Sequence, residues 1–234
     1  MKKIKYNNIA ILSYGRKGST RCPNKLLRKF DKTTVVDIIL KKFEKFEDSY
    51  FGGYDKEFKK KCQNHGVNFL QRSLNSVSID YPIKDCLHFI KNINADYILL
   101  VNSCLPFLSL DTINNFLEFV IKNNYKPATV ISEKKNYFFN KKYKPINFSS
   151  KIKTLNTKTV KPVYEYANAL YFFNKNYFFR YGKYWNWDKV KLFNIANKIE
   201  LLDIDTEEDF KIAESVWKNI NEKRIFKISS LPRN

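Results

Sequence analysis

The chain has 234 residues, of which 44% are hydrophobic, enough for one large α/β domain with a real core. No apolar run reaches the roughly 18 residues of a membrane span, and the first eight residues lack the apolar stretch and cleavage site of a signal peptide, so a cytoplasmic protein with no membrane partner is expected. The formal net charge is +20, but the lysines are spread over every predicted helix, which argues against nucleic acid and leaves an acidic or polyphosphate ligand as the partner that profits from the field.

In chain order, residues 9–12 form a short apolar run that reads as a buried strand. It opens into a loop holding Gly15, Arg16, Lys17, Gly18, Ser19, Thr20, Arg21 and Lys25. Two glycines, four cations and two hydroxyls after a strand make a sensible cradle for phosphates. The loop lacks both the Gly-Lys-Ser/Thr ending of a Walker loop and the G-x-G-x-x-G fingerprint. Helical spacing follows over 34–46, then a strand over 49–53 ending in Gly-Gly. A helix capped by Asp55 runs to Gly66, and a strand over 67–70 comes next. Residues 80–93 read as one helix, 97–101 as a continuous buried strand, 110–121 as a helix capped by Ser109, and 128–132 as a strand. This βαβ rhythm predicts a doubly wound, mostly parallel twisted sheet flanked by helices, with ligands beyond the carboxyl ends of its strands.

The rhythm breaks over about 134–165, rich in Lys, Tyr, Phe and Asn. That stretch reads as an irregular or hairpin-like insertion, a lid or a dimerisation arm. Residues 168–173 read as a strand followed by a short helix to Arg180. Gly182 to Asp188, with Trp185 and Trp187, is read as a surface-packing loop. Residues 199–202 read as the last strand and 207–220 as the last helix. One domain over 1–222 and a frayed basic tail over 223–234 are expected. Cys22, Cys62, Cys86 and Cys104 are scattered, without a C-x-x-C pair, and read as thiols of a reducing compartment.

Three further stretches can carry chemistry. In an extended Leu202-Asp203-Ile204-Asp205, the two carboxylates share a side while Leu202 and Ile204 face the core. Such a pair suits a hard divalent cation such as Mg2+. The following Thr206 and Asp209 are explained by a capping box. Asn102, after the central strand, reads either as a reader of a base edge or as a turn former. Arg72, at the end of the 67–70 strand, sits either on the rim of the phosphate loop or simply on the surface, with Ser78 or Asp80 capping the next helix.

Together these pieces resemble the cytidylyltransferases that activate sugar acids, the acylneuraminate (CMP-sialic acid) synthetases and the related CMP-Kdo synthetases. Arg16, Gly18, Ser19, Pro23 and Lys25 stand where that family holds the CTP phosphates, and Gly-Ser-Thr-Arg-x-Pro-x-Lys is especially similar to the Kdo branch. The segment ending in Pro106 resembles Gln-x-Thr-Ser-Pro-Leu, with Asn102 at the position that contacts cytosine. Asn168-Ala169-Leu170-Tyr171 resembles Asn-Gly-Ala-Ile-Tyr, which lines the sugar site. Residues 202–206 resemble the magnesium motif Ile-Asp-Ile-Asp-Thr. Departures stand at Leu26, Asn102, Leu105 and Ala169.

The resemblance implies a Rossmann-like nucleotidyltransferase fold and a homodimer built on the insertion. It implies transfer of CMP from CTP to an acidic sugar, for surface polysaccharide synthesis. Arg16, Lys25 and Arg21 would then be catalytic, with Lys17 only solvated. Gly15, Gly18, Ser19, Arg72 and Asn102 would hold nucleotide, Asn168 and Tyr171 the sugar, and Asp203 and Asp205 Mg2+. Two other readings remain open. One is the same fold acting on a phosphonate or polyol phosphate; the other is an inactive nucleotide-binding homologue.

Overall fold

Apolar residues fill both faces of the first strand, β1 (Ile9–Tyr14), because it lies mid-sheet with a core on each side. The computed structural model describes residues 3–78, 82–220 and 223–227. After β1 come a small hairpin of β2 (Lys29–Phe30) and β3 (Thr33–Thr34), then α1 (Val35–Phe43), β4 (Ser49–Gly53), α2 (Lys56–His65) and β5 (Asn68–Gln71). Two short helices, α3 (Leu74–Ser78) and α4 (Ile83–Cys86), precede β6 (Tyr97–Val101), α5 (Leu110–Lys122) and β7 (Ala128–Lys134). The chain ends with β8 (Val163–Asn174), α6 (Lys175–Tyr181), β9 (Lys191–Asn194), α7 (Glu207–Asn219) and α8 (Lys223–Phe226).

Seven strands form one sheet in the order β5-β4-β1-β6-β8-β7-β9. Every adjacent pair is parallel except the two that involve β8, so the mostly parallel sheet expected from the βαβ rhythm is present. The chain runs outward from β1 through β4 to β5 and then returns to place β6 on the other side of β1. The order therefore reverses between β1 and β6, and a crevice opens there beyond the strand ends. Alternation splits the core: Ile9, Ile11, Leu99 and Val101 face α1 and α5, while Ala10, Leu12, Ile98 and Leu100 face Leu87, Ile90, Phe173 and Trp185. Among the described residues no helix is long and apolar enough to cross a membrane, and the four cysteines form no disulfide.

Of the expected helix caps, those at Ser109 and at Thr206 and Asp209 bond as read, whereas Asp55 stands at the start of α2 without a side-chain cap bond; Thr34 caps α1 in addition. The Thr34 hydroxyl accepts from Asp37 N at 3.3 Å, Ser109 from Thr112 N at 3.1 Å, and Thr206 and Asp209 form a reciprocal capping box at α7. Gly66 ends α2 at φ +60.

Several segments differ from the sequence reading. The expected 80–93 helix is two short pieces: α4, then a 3₁₀ turn over His88–Asn92. The cause is the Cys86 carbonyl, which accepts from the Ser76 hydroxyl at 2.6 Å and is lost to the helix, so Ile90 N bonds Leu87 O instead. Asp80, a proposed cap, lies outside the described residues, as do 228–234 of the expected frayed tail over 223–234, whose start is not frayed but forms α8 with Ile225 buried against the core. The expected strand over 199–202 is a 3₁₀ turn, Lys198–Leu201, started by the Asn197 side chain accepting from Ile199 N at 3.2 Å. β9 went unread, since its alternation spans only four residues. β8 begins at Val163 and pairs along the whole of β7, so the irregular insertion proper is 135–162. Asn147 holds that loop together, donating to the carbonyls of Asn136 and Lys161 and accepting from Phe138 N.

On the outer side, α1 and α2 are clamped by charge. Asp37 accepts from Lys61 Nζ and Thr34 Oγ1, both at 2.6 Å, and faces His65 Nε2 at 3.3 Å, while Glu44 bonds His65 Nδ1. The Asp37 hydrogen bond raises the imidazole pKa above its usual value, with burial opposing and Glu44 adding to the rise. A raised histidine pKa contributes stability that is full below the unfolded value and is lost as pH rises through the folded one. The stability difference between wild type and His65→Gln should therefore be full below the ordinary histidine pKa, while Asp37 and Glu44 stay ionised, and shrink as pH rises through the folded pKa. A difference that stays flat in urea melts from acid to alkaline pH would contradict the clamp.

Candidate active site

The crevice at the β1–β6 reversal is a cavity of about 390 Å3. Its wall brings together Gly15, Arg16, Ser19, Arg21 and Lys25 from the loop after β1 with Arg72, Asn102, Asn168 and Tyr171. The strand ends are stitched by hydroxyls: Ser13 Oγ donates to Val101 O at 2.9 Å and Ser103 Oγ to Tyr14 O at 2.8 Å. An adjoining cavity of about 200 Å3 shares Asn168 and is lined by Asp203, Ser132, Lys134 and Lys198. Gly18 and Asp205 line neither, although Asp205 is reached by two cations of the loop.

The loop is shaped by other means than its glycines' backbone freedom. Neither Gly15 nor Gly18 takes a positive φ; Asn24 does, at +55°. Gly15 is needed for space, since a Cβ there would meet Leu26 Cδ1 at 2.4 Å and Phe51 Cζ at 3.1 Å, whereas a Cβ at Gly18 meets nothing within 4 Å. Ser19 Oγ accepts from Cys22 N at 3.3 Å. Arg16 donates to Val77 O at 2.9 Å. Lys17, expected to be only solvated, lies at the surface off the crevice, paired there with Glu57 at 2.6 Å and Asp55 at 3.8 Å.

Arg72 is neither on the surface nor free to swing over a phosphate. It is only 2% exposed, lies over the Tyr14 and Phe89 rings, and donates to Ser76 Oγ at 3.0 Å, Gly15 O at 3.2 Å and the Ser76 carbonyl. It therefore supports the Gly15 end of the loop from beneath. Asn102 is likewise engaged. Its Nδ2 donates to Asn168 O at 2.7 Å and Asp203 Oδ2 at 3.1 Å, and its Oδ1 accepts from Cys104 N at 2.9 Å. The turn-forming role is thus real, and the amide also orients a carboxylate 101 residues away.

Lys25 links the two halves of the site. Its Nζ donates to Ile204 O and to Asp205 Oδ1, the latter at 3.3 Å. Burial works against its charge, but Cys104 and Asp205 more than offset this and hold the ammonium pKa above the usual lysine value. Arg21, largely exposed, meets the same Asp205 oxygen at 3.2 Å. Asp203 has no such cation within ion-pair distance among the described residues. Burial first, and then the Asp205 charge, push its pKa up to about 6, and its Oδ1 is buried without a hydrogen-bond partner. An orphaned carboxylate oxygen beside a second carboxylate fits a hard cation. No cluster of three or more His, Cys, Asp or Glu poised for a metal exists among the described residues. The protein would thus supply one or two carboxylates and leave the remaining positions to phosphate oxygens and water, as Mg2+ prefers.

Tyr171 packs with Tyr166, Tyr184 and Trp185 at 5.2–6.2 Å between centroids. Burial, then Tyr166, holds its phenol protonated far above the usual range. Sequence reasoning missed Tyr184 and Trp185 as site neighbours, reading 182–188 as a surface-packing loop; the signal was there in their apolar area, and of that loop's aromatic residues only Trp187 is exposed. It also passed over Cys104, whose thiol, pushed up to about 11 mainly by burial, lies beside Lys25.

A doubly wound sheet with a basic loop and a carboxylate pair converging at its switch point defines a protein that handles nucleotide phosphates. The sequence profile of the cytidylyltransferases matches residues 10–230: the chain belongs to the cytidylyltransferase family and is a nucleotidyltransferase. Its fold is similar to that of a CMP:2-keto-3-deoxy-manno-octonic acid synthetase complexed with CTP, at 11% identity and TM-score 0.68 over 91% of this chain and 99% of that one. It is also similar to a cytidylyltransferase from Leptospira borgpetersenii, with 19% identity, TM-score 0.63, and 94% and 90% covered. A third similar structure is a 4-diphosphocytidyl-2C-methyl-D-erythritol synthase from Anaerococcus prevotii, with 14% identity, TM-score 0.59, and 92% and 99% covered. At such identities the likeness is one of fold. No protein of curated function matches the sequence significantly.

The two glycines of the loop should separate cleanly by mutation. Gly15→Ala should cost about 1–3 kcal/mol of stability in urea denaturation, because Leu26 is buried and cannot yield freely. Gly18→Ala should stay within about 0.5 kcal/mol of wild type. Equal losses at both positions would contradict this.

Proposed function

We propose that the chain transfers the cytidylyl group of CTP to a hydroxyl of an acidic sugar, releasing pyrophosphate, with Mg2+ held by Asp203 and Asp205. The observation that carries this reading is the junction at Lys25, which lines the crevice and joins the loop after β1 to the Asp203–Asp205 segment beside it. The similar synthetase complexed with CTP supports it.

In this reaction the acceptor oxygen attacks the α-phosphorus in line and pyrophosphate leaves, so catalysis is positioning and charge neutralisation. Arg16, Lys25 and Arg21 neutralise the triphosphate and the leaving group. The backbone at Gly15 and Ser19, which line the crevice, bounds the phosphates, with Arg72 bracing Gly15 from below, while Gly18 contributes only from outside the wall. Asn102 Oδ1 keeps a second lone pair that can accept from the exocyclic amine of cytosine. Mg2+ at the carboxylates would shield phosphate charge and lower the pKa of a coordinated hydroxyl. The acceptor lies against Asn168 and Tyr171 and reaches the adjoining cavity, where Lys198 suits an acid group and Lys134 is already paired with Glu165 at 2.9 Å. The similar methylerythritol enzyme keeps a polyol phosphate acceptor as the second reading, since Lys198 would suit it as well.

Dimerisation through residues 134–165 belongs to the same proposal. That stretch exposes Phe139, Tyr143, Ile146 and Leu155, with Tyr143 87% exposed. Light scattering should give a dimer mass for wild type and a monomer mass for the Tyr143→Glu, Leu155→Glu double variant; a monomeric wild type contradicts the arm.

Activity is read as pyrophosphate release from CTP with Mg2+ and a panel of sugar acids and polyol phosphates. Lys25→Ala should lose about 2.7–4 kcal/mol of transition-state stabilisation, or two to three orders of magnitude in turnover. Asp203→Asn should abolish the Mg2+-dependent rate. Turnover of Lys25→Ala within about threefold of wild type would remove the role given to that residue.

A further inference from the structure

Behind the carboxylate pair, away from the crevice, two charged side chains are buried where neither touches nucleotide or acceptor. Lys42, on α1, is 0% exposed, and its Nζ donates to the Pro106 carbonyl at 2.8 Å. Glu200, in the 3₁₀ turn before Asp203, is 8% exposed. Its Oε2 accepts from Ser109 N at 2.9 Å and Ser109 Oγ at 3.1 Å, and its Oε1 from Asn197 Nδ2 at 3.4 Å. Burying a charge is costly, and an apolar residue of similar volume would pack at lower cost. General stability is therefore a poor explanation for either residue.

Their placement supplies a better one. Residues 102–109 form one continuous loop from the end of β6 to the cap of α5. Asn102 at its start orients Asp203, and the Cys104 carbonyl accepts from Ile204 N at 3.0 Å. Lys42 fixes the middle of that loop at Pro106, and Glu200 fixes its end at Ser109. The segment over 203–205 is thus suspended from this loop at both ends: directly at Cys104 and Asn102, and through Glu200 at Ser109. Ser109 serves twice, since its hydroxyl also caps α5 by accepting from Thr112 N. The anchor is thereby tied to a thirteen-residue helix.

We infer that Glu200 is a positioning residue that sets where the Asp203 and Asp205 carboxylates sit, with Lys42 bracing the loop to which Glu200 is tied. The inference rests on the reading of Asp203 and Asp205 as the Mg2+ site. A residue of this kind acts on the metal more than on the nucleotide, because Arg16, Arg21 and Gly15 reach the crevice from a different loop.

The test is Mn2+ binding to the full chain with CTP, read as loss of the free-Mn2+ EPR signal, beside steady-state pyrophosphate release, with the Mg2+ half-saturation measured at saturating CTP and the CTP KM measured at saturating Mg2+; both the Mn2+ affinity and the Mg2+ half-saturation should weaken together. Glu200→Ala should raise the Mg2+ half-saturation about tenfold, the scale of lost outer-shell support for a metal ligand. Its CTP KM should remain within about twofold of wild type. Glu200→Gln, which can still accept from Ser109, should restore most of the Mg2+ affinity. If Glu200→Ala does not fold, Ser109→Ala carries the same readout, since it removes one of the two bonds to Glu200 and should shift Mg2+ in the same direction. An unchanged Mg2+ half-saturation in a folded Glu200→Ala overturns the inference alone. So does an equal rise in the Mg2+ half-saturation and the CTP KM, which would mark general loosening. A wild type that turns over CTP without any divalent cation overturns the metal reading and this inference with it.

Discussion

The bond of Lys25 to the Ile204 carbonyl and the Asp205 carboxylate is the constraint on which the site depends. It spans 180 residues of sequence and joins the loop that follows the first strand to the segment that precedes the last long helix. The sheet order makes this contact possible. Reversal between β1 and β6 leaves a crevice at the strand ends, and the loop after β1 and the loop after β6 form its two banks. The Asp203–Asp205 segment hangs from the second bank through Asn102 and Cys104, and Lys25 reaches it from the first.

Charge is distributed unevenly across this junction. Among the described residues Asp205 holds two cations, Lys25 and Arg21, whereas Asp203 has only the Asn102 amide and an unpartnered oxygen. In the proposed reaction a triphosphate competes for those two cations. Their transfer to phosphate oxygens would leave two bare carboxylates side by side, an arrangement that a divalent cation relieves. The nucleotide and the metal would then favour each other's binding, because each takes up charge that the other leaves unmatched. The large positive charge of the chain as a whole helps an anion approach but does not define the site. Several lysines outside the crevice, such as Lys17 and Lys61, are engaged by carboxylates of their own.

Much of this was legible in the sequence because it is written locally. The run over 9–12, the cap at Ser109, the capping box at Thr206 and Asp209, and the stop at Gly66 depend on residues within a few positions of one another. What was not legible depends on distant partners. Glu200 is buried and Ile199 exposed, the reverse of the pattern a strand would show, because Ser109 is there to bond the carboxylate. The 80–93 helix breaks because Ser76 takes a carbonyl from it. Arg72 looked like a rim residue because its position at a strand end is right, but the aromatic pair of Tyr14 and Phe89 that draws it inward comes from two other segments. Glycines in the opening loop pointed to backbone freedom, while the structure needs one for space and places an asparagine at the left-handed position.

The central claim is that one crevice binds a nucleotide triphosphate through the loop after β1 and a divalent cation through Asp203 and Asp205. A crystal of the full chain grown with CTP and Mn2+ in place of Mg2+, with anomalous data at the manganese edge, tests it most directly. The account predicts an anomalous peak within coordination distance of both carboxylates, the triphosphate along residues 15–25, and the cytosine beside Asn102. A nucleotide bound with its phosphates elsewhere, or a manganese peak that touches neither carboxylate, would contradict it.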